Sequence, residues 1–268
     1  MHREFRIALA LALATFAAPS APVEASTAPA LSWTDLADLS IASPIILRAD
    51  VTRVRPLGRR DAPDVPPGEV RALVEASLVN VLKAPDAVPG TARWLWQGPA
   101  GQRGRPPVAR GDSLLLFLAP AEGMRDYRLM HPAGQQRWSE ELETRVRRLV
   151  EEARRPDAPA AIREIANGFH VPGTIEGESE SQFFLVAEDG RPMTLTVLRR
   201  PGAAPEVAMA TGDLIDESAR PIQRQTLLWR ALACTLPEAL PQRLASDRGL
   251  AADYREMRRQ IGECGRTL

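Results

Sequence analysis

The sequence predicts an α+β protein, mainly β: a strand-rich first half closed by one long helix, then a smaller module of a β-hairpin and helices. Three observations carry this expectation. Period-two alternation of apolar and polar residues recurs from Ile45 onward, as half-buried strands require. One charged stretch, Ser139 to Arg155, carries an apolar stripe at helical spacing. Near the chain's last third, Asp189-Gly190 separates two alternating runs, the signature of a tight hairpin turn. A chain of 268 residues with 44% hydrophobic and 25% charged residues is ample to bury a core.

Met1 to Ala25 has the pattern of a secretory signal: Arg3 and Arg6, an apolar run from Ile7 to Ala18, then Val23-Glu24-Ala25 before Ser26. That run is shorter than the roughly 20 residues that span a bilayer. The expectation is cleavage between Ala25 and Ser26 and a periplasmic or extracellular protein; the alternative is an uncleaved anchor or a buried helix. Residues 26–35 read as a tether, 36–155 as the first domain, 156–172 as a linker and 173–268 as the second module. Within the first domain, Ile45 to Thr52 alternates as a strand, and Pro56 to Gly68 is a Pro/Gly-rich loop. Residues 69–83 alternate as a strand would and also fit one helix face, with valine richness favouring a long strand. Thr91 to Gln97 alternates again, Leu114 to Leu118 is a continuous apolar run, and Tyr127 to Met130 suits a short strand. For the closing helix, Ser139 is the expected N-cap, with Glu140, Glu141 and Glu143 in the first turn and Glu–Arg pairs four apart along it. Pro156 and Pro159 stop it. A short helical stretch is expected around Ala160 to Asn167, then strands at 181–187 and 193–198, and helices at 223–236 and 246–264.

The order strand, loop, long strand ending in Val79-Asn80-Val81-Leu82-Lys83, strand, then Gly111-Asp112-Ser113-Leu114-Leu115-Leu116-Phe117-Leu118 and a closing helix resembles netrin- and TIMP-like OB barrels of secreted bacterial proteins. Ala37-Asp38-Leu39 with Ile45 to Val54 belongs to the same resemblance, which covers residues 36–155. It implies an OB-like small β-barrel with five strands. TIMP-type inhibitors begin with a cysteine that chelates a protease's zinc, whereas here Ser26 follows the expected cleavage point, so metalloprotease inhibition does not carry over.

The 34 basic and 34 acidic residues balance, and pI is near 6.9, so the basic footprint of a general nucleic-acid binder is absent. Lys83 is the sole lysine. A P-loop, which needs Gly-Lys, is excluded, as is Schiff-base chemistry away from Lys83. Outside the cytosol Cys234 and Cys264 are expected to pair, the alternative being two buried thiols. No cofactor and no metal site is expected; His131 and His170 lack ligand spacing.

Gly111-Asp112-Ser113-Leu114 resembles the signature block of GDSL-type ester hydrolases. It precedes a strand-like run rather than a helix, and no Asp-x-x-His follows, so a polar turn opening a core strand fits better. Trp94 and Trp96 would either stack on a ligand or fill the barrel. Glu176, Glu178 and Glu180 would share one side of an extended strand, meeting Ca²⁺ or a basic partner, or guarding a sheet edge. Asp213, Asp216 and Glu217 form another acidic patch. Arginines cluster at 53–60, 103–110 and 199–200, either as anion sites or as a compositional substitute for lysine.

The expected function is therefore an exported, non-catalytic protein that binds a protein or cell-envelope component, without nucleic acid and without a transmembrane segment after signal removal. The alternatives are a secreted ester or glycoside hydrolase using Ser113 or an acidic pair, and a structural assembly subunit.

Overall fold

A computed structural model describes residues 31–121, 126–211 and 220–268. The signal segment, the tether up to residue 30, and Asp213, Asp216 and Glu217 lie outside the described residues. Helix α1 (Trp33–Ala42) begins in the last residues of the expected tether and runs into the expected first domain. The first half then contains strands β1 (Ile45–Pro56), β2 (Glu69–Lys83), β3 (Thr91–Pro99), β4 (Ser113–Pro120), β5 (Tyr127–Leu129) and β6 (Gln135–Arg137), followed by helix α2 (Glu140–Arg154).

β1 is paired antiparallel along both edges, to β2 on one side and β4 on the other. β2 pairs with β3, β3 meets β5 in parallel, and β5 returns to β4. The circuit β1-β2-β3-β5-β4 closes on β1, giving a five-stranded OB-like barrel. β6 pairs with β4 beside it. Residues 69–83, ambiguous by pattern, are a strand because both of their backbone edges are taken, by β1 and by β3. Ala72, Val74 and Ala76 point into the barrel, whereas Val81, part of the apparent helical stripe, is 39% exposed.

β4 explains its own continuous apolar run. Leu114, Leu116 and Leu118 belong to the barrel interior, and Leu115 and Phe117 belong to a second layer built from α1 and α2. Burial on both faces removes any reason for alternation. In that second layer Val146, Leu149 and Val150 of α2 join Leu36 and Leu39 of α1 over Ile46 of β1. Ser139 caps α2 by accepting from the Leu142 N–H, and the pairs Glu141–Arg145 and Glu143–Arg147 form as expected. Glu152 instead accepts from the backbone N–H of Leu227, at the start of helix α3 (Leu227–Thr235). The lone lysine is a cap as well: Lys83 Nζ donates to the carbonyls of Ser40 and Ile41 at 3.0 and 2.9 Å, closing the end of α1. Burial, with Arg154 nearby, pushes its ammonium below the ordinary lysine range.

The second sheet runs β7 (Ile162–Pro172), β8 (Ser179–Ala187), β9 (Pro192–Arg199), β10 (Glu206–Thr211) and β11 (Arg220–Pro221), all antiparallel neighbours. β7 corrects the helix expected around Ala160 to Asn167 and occupies most of the expected linker. The three-residue spacing of Ile162 and Ile165 looked helical. Two register shifts, between Ile162 and Glu164 and between Ile165 and Asn167, let a strand bury both isoleucines. β8 and β9 are joined by the expected hairpin turn, where Gly190 takes φ +84°. α3, α4 (Gln242–Ala245) and α5 (Arg248–Ile261) cover one face, around Phe183, Leu195, Leu232, Tyr254 and Met257. Burial raises the Tyr254 phenol to about 12, so it stays a neutral donor to the Pro237 carbonyl.

Cys234 and Cys264 are disulfide-bonded, tying α3 to the C-terminal tail. That tail lies on α1. Asp35, 1% exposed, accepts from the backbone N–H groups of Thr267 and Leu268 at 3.0 and 3.3 Å and from the Thr267 hydroxyl at 2.6 Å. Thr34 donates to the Cys264 carbonyl, and Asp38 binds Arg266 and Arg230. Trp33 meets Trp229 edge-on at 5.8 Å.

Burial pushes the Asp35 carboxyl up, but the Thr267, Ser32 and Leu268 donors outweigh it and hold it below the ordinary 3.8. A carboxyl depressed in the folded state stabilises above its unfolded pKa, and that stabilisation is lost as pH falls through the folded value. Asp35→Ala orphans several donors and is expected to cost about 1–3 kcal/mol in urea denaturation at neutral pH. The gap between wild type and variant should narrow in acid below the ordinary carboxyl range.

Candidate functional site

The hydrolase-like block is a strand entrance. Gly111, at φ +92°, donates its N–H to the Val51 carbonyl, and Ser113 opposes Asp50 in the β1–β4 ladder. Ser113 Oγ donates to Asp50 Oδ1 at 2.6 Å. Asp112 accepts from the Ala109 N–H and from Arg137. His131 is engaged elsewhere, its Nδ1 accepting from the Ala133 N–H. In the hydrolase pattern a histidine activates the serine; Ser113 instead donates its hydrogen bond to Asp50, and no histidine is among its hydrogen-bond partners in the described residues.

Trp94 and Trp96, candidates for ligand contact, are barrel core at 1% and 7% exposure. The closed barrel sends the alternate residues Ala92, Trp94 and Trp96 inward, and the Trp94 indole N–H is spent on Gln135 Oε1 at 2.9 Å. The acidic row is also placed differently from expectation. Glu180 stands on β8, but Glu176 and Glu178 lie in the connection from β7 to β8, so the three do not share one strand face. They do remain near one hairpin end.

The structure brings together a group that spacing does not reveal: His170, Ser181, Asp253 and Arg199. Ser181 Oγ donates to Asp253 Oδ2 at 2.6 Å and lies 2.9 Å from His170 Nδ1. Arg199 Nε donates to Asp253 Oδ1 at 2.5 Å. The residue types are those of a serine-hydrolase triad, but the geometry is not. A triad serine hands its proton to one imidazole nitrogen while the carboxylate holds the other. Here Ser181 is fully buried, it bonds the carboxylate directly, and both groups face the same histidine nitrogen. The cluster pins α5 to the sheet. Gly249 is part of the pin: a Cβ there would come within 2.5 Å of the His170 ring. The four positions come from β7, β8, β9 and α5, so only the fold could have shown them.

What remains accessible is the outer face of β1–β3. Because Ala72, Val74, Ala92, Trp94 and Trp96 point inward, Arg71, Leu73, Glu75, Arg93, Leu95 and Gln97 point outward. The ladder sets Arg53, Glu75 and Arg93 in one row and Arg55, Leu73 and Leu95 in the next. Leu95 is 52% exposed. Arg71 is held by Asp64 and Gln97, and Arg93 by Asp126. Arg53 and Arg55, with Arg59 and Arg60 in the following loop, have no hydrogen-bond or ion-pair partner among the described residues. The face thus presents Leu95 beside Leu73 with a rim of guanidinium groups and Glu75; the unpartnered guanidinium groups are able to bind carboxylates or other anions bidentately.

No family model and no curated protein matches this chain. Among the described residues no helix is long and apolar enough to cross a membrane.

The pin predicts a specific stability effect. Arg199→Met leaves Asp253, 1% exposed, without its cationic partner. It should cost about 3 kcal/mol in chemical denaturation, whereas Ser113→Ala at the barrel entrance should cost about 1 kcal/mol.

Proposed function

We propose that the chain is an exported, non-catalytic binding protein, and that the outer face of β1–β3 grips a protein or cell-envelope component presenting carboxylates around an apolar group. The observation that carries this reading is the exposed Leu95 beside Leu73, ringed by Arg53, Arg55, Arg71 and Arg93, two of which have no partner among the described residues. An exposed apolar centre with a charged rim is the usual anatomy of a recognition surface. Arginine forks at its edge add orientation and speed of encounter. The pattern of residues 1–25 and the Cys234–Cys264 bond support export. The barrel's strand circuit supports a netrin- or TIMP-like relation for residues 36–155.

Chemical cross-linking in the exporting cell should capture a partner through this face. Leu95→Asp and the double variant Arg53→Glu/Arg55→Glu should each reduce capture at least tenfold, with the melting temperature unchanged because these side chains are exposed. Undiminished capture by both variants would remove the face from the account.

A further inference from the structure

The described residues present a second exposed apolar patch, and its charge is opposite. Phe169 and Val171 on β7, and Ile175 in the β7–β8 connection, are 40%, 52% and 61% exposed. β7 is the edge strand of its sheet. Phe169 stacks against Phe184 at 5.9 Å between ring centroids, which places it on the face turned away from α5. Val171 opposes Glu180 and Phe169 opposes Gln182 in the ladder. Glu176, Glu178 and Glu180 surround this patch, and no basic side chain engages them among the described residues. The nearest arginine on the adjoining connection, Arg200, is turned to Glu206. Gln182 is 5% exposed; its amide donates to Glu180 at 2.6 Å, while its Oε1 is buried without a donor. The patch therefore offers carboxylates around three exposed apolar side chains.

These features would match the β1–β3 face, where Glu69 and Glu75 are also present but Arg53 and Arg55 have no side-chain partner among the described residues. One surface supplies Leu73 and Leu95 with unpaired Arg53 and Arg55; the other supplies Phe169, Val171 and Ile175 with unpaired carboxylates. The strands that carry the two patches belong to different sheets and do not pair with each other. We infer that a second copy of this chain is the occupant: the arginine-rimmed barrel face of one molecule seats the glutamate-rimmed β7 edge of the next. The inference rests on the binding role proposed for the barrel face and names its partner. Contact between two different patches is heterologous, so the rotation between copies decides whether the assembly closes into a ring or continues as a filament.

Sedimentation velocity over a concentration series tests it, in low salt and in 0.5 M NaCl. Wild type should self-associate in a concentration-dependent manner, with an association constant at least tenfold lower in high salt. Arg53→Glu/Arg55→Glu and Glu178→Arg/Glu180→Arg should each be monomeric, since like charges then face one another. An equimolar mixture of the two variants should associate again, because each then offers the charge the other lacks. Recovery on mixing also shows that both variants are folded. A wild type that stays monomeric throughout, variants that associate as well as wild type, or a mixture that fails to recover would overturn self-assembly. If the wild type is monomeric yet Arg53→Glu/Arg55→Glu still abolishes capture of a different envelope component, only this inference falls. If capture is undiminished in that variant and in Leu95→Asp, the binding role of the barrel face falls with it.

Discussion

Hydrogen bonding of β1 along both edges is the constraint from which the rest of the barrel follows. β2 and β4 both pair with it, β3 and β5 join their far edges, and the closed sheet divides every alternating strand into an inner and an outer set of side chains. The inner set absorbs Trp94 and Trp96. The outer set splits again: where β1 and β4 are covered by α1 and α2 it is apolar, as at Ile46, Leu115 and Phe117. Where β1, β2 and β3 are left uncovered it carries Arg53, Arg55, Arg71, Arg93 and Leu95. Closure thus decides which aromatic residues are structural and which charges are available.

The two sheets are coupled through the chain's last residues. α1 rests on the barrel, and its Asp35 and Asp38 receive Thr267, Leu268 and Arg266, while the disulfide joins the same tail to α3. α3 contributes Leu227 to the helical layer of the barrel and Trp229 and Leu232 to the core of the second sheet. The Trp229 indole N–H also donates to the Ile261 carbonyl, at the end of α5. A carboxylate buried at a helix start, a tail that fills its acceptors and a covalent tie therefore do the work of an interface.

Much of this was legible in the residues, because it rested on local periodicity. The alternation of β1 and β3, the apolar run of β4, the cap and ion pairs of α2, and the Asp189-Gly190 turn all declare themselves within a dozen residues. The pairing of Cys234 with Cys264 followed from their number and the expected compartment. What could not be read depended on partners far away in the chain. Strand β2 also fitted a helix face until both of its edges were paired, and β7, with two register shifts, stands where a short helix was expected. Trp94 and Trp96 gave no sign of which way they face until the barrel closed. The pin between Ser181, His170, Arg199 and Asp253 has no sequence signal, since its members meet only when three strands and a helix are assembled. The accessible arginines were visible as clusters, but only the ladder shows that Arg55 stands in line with Leu73 and Leu95.

The proposed binding role rests on which groups are accessible. Ser113 and Ser181 each donate a hydrogen bond to a carboxylate, and Lys83 caps a helix. Among the described residues, guanidinium and carboxylate side chains stand beside exposed apolar residues, and on that proposal they would hold a partner by charge and contact. The most direct measurement is backbone hydrogen exchange on the protein alone and saturated with the partner captured from its own compartment. The account predicts added protection concentrated in residues 53–55, 71–75 and 93–97. Protection confined elsewhere, for example around Ser113 and Asp50, with those three segments unchanged, would contradict it.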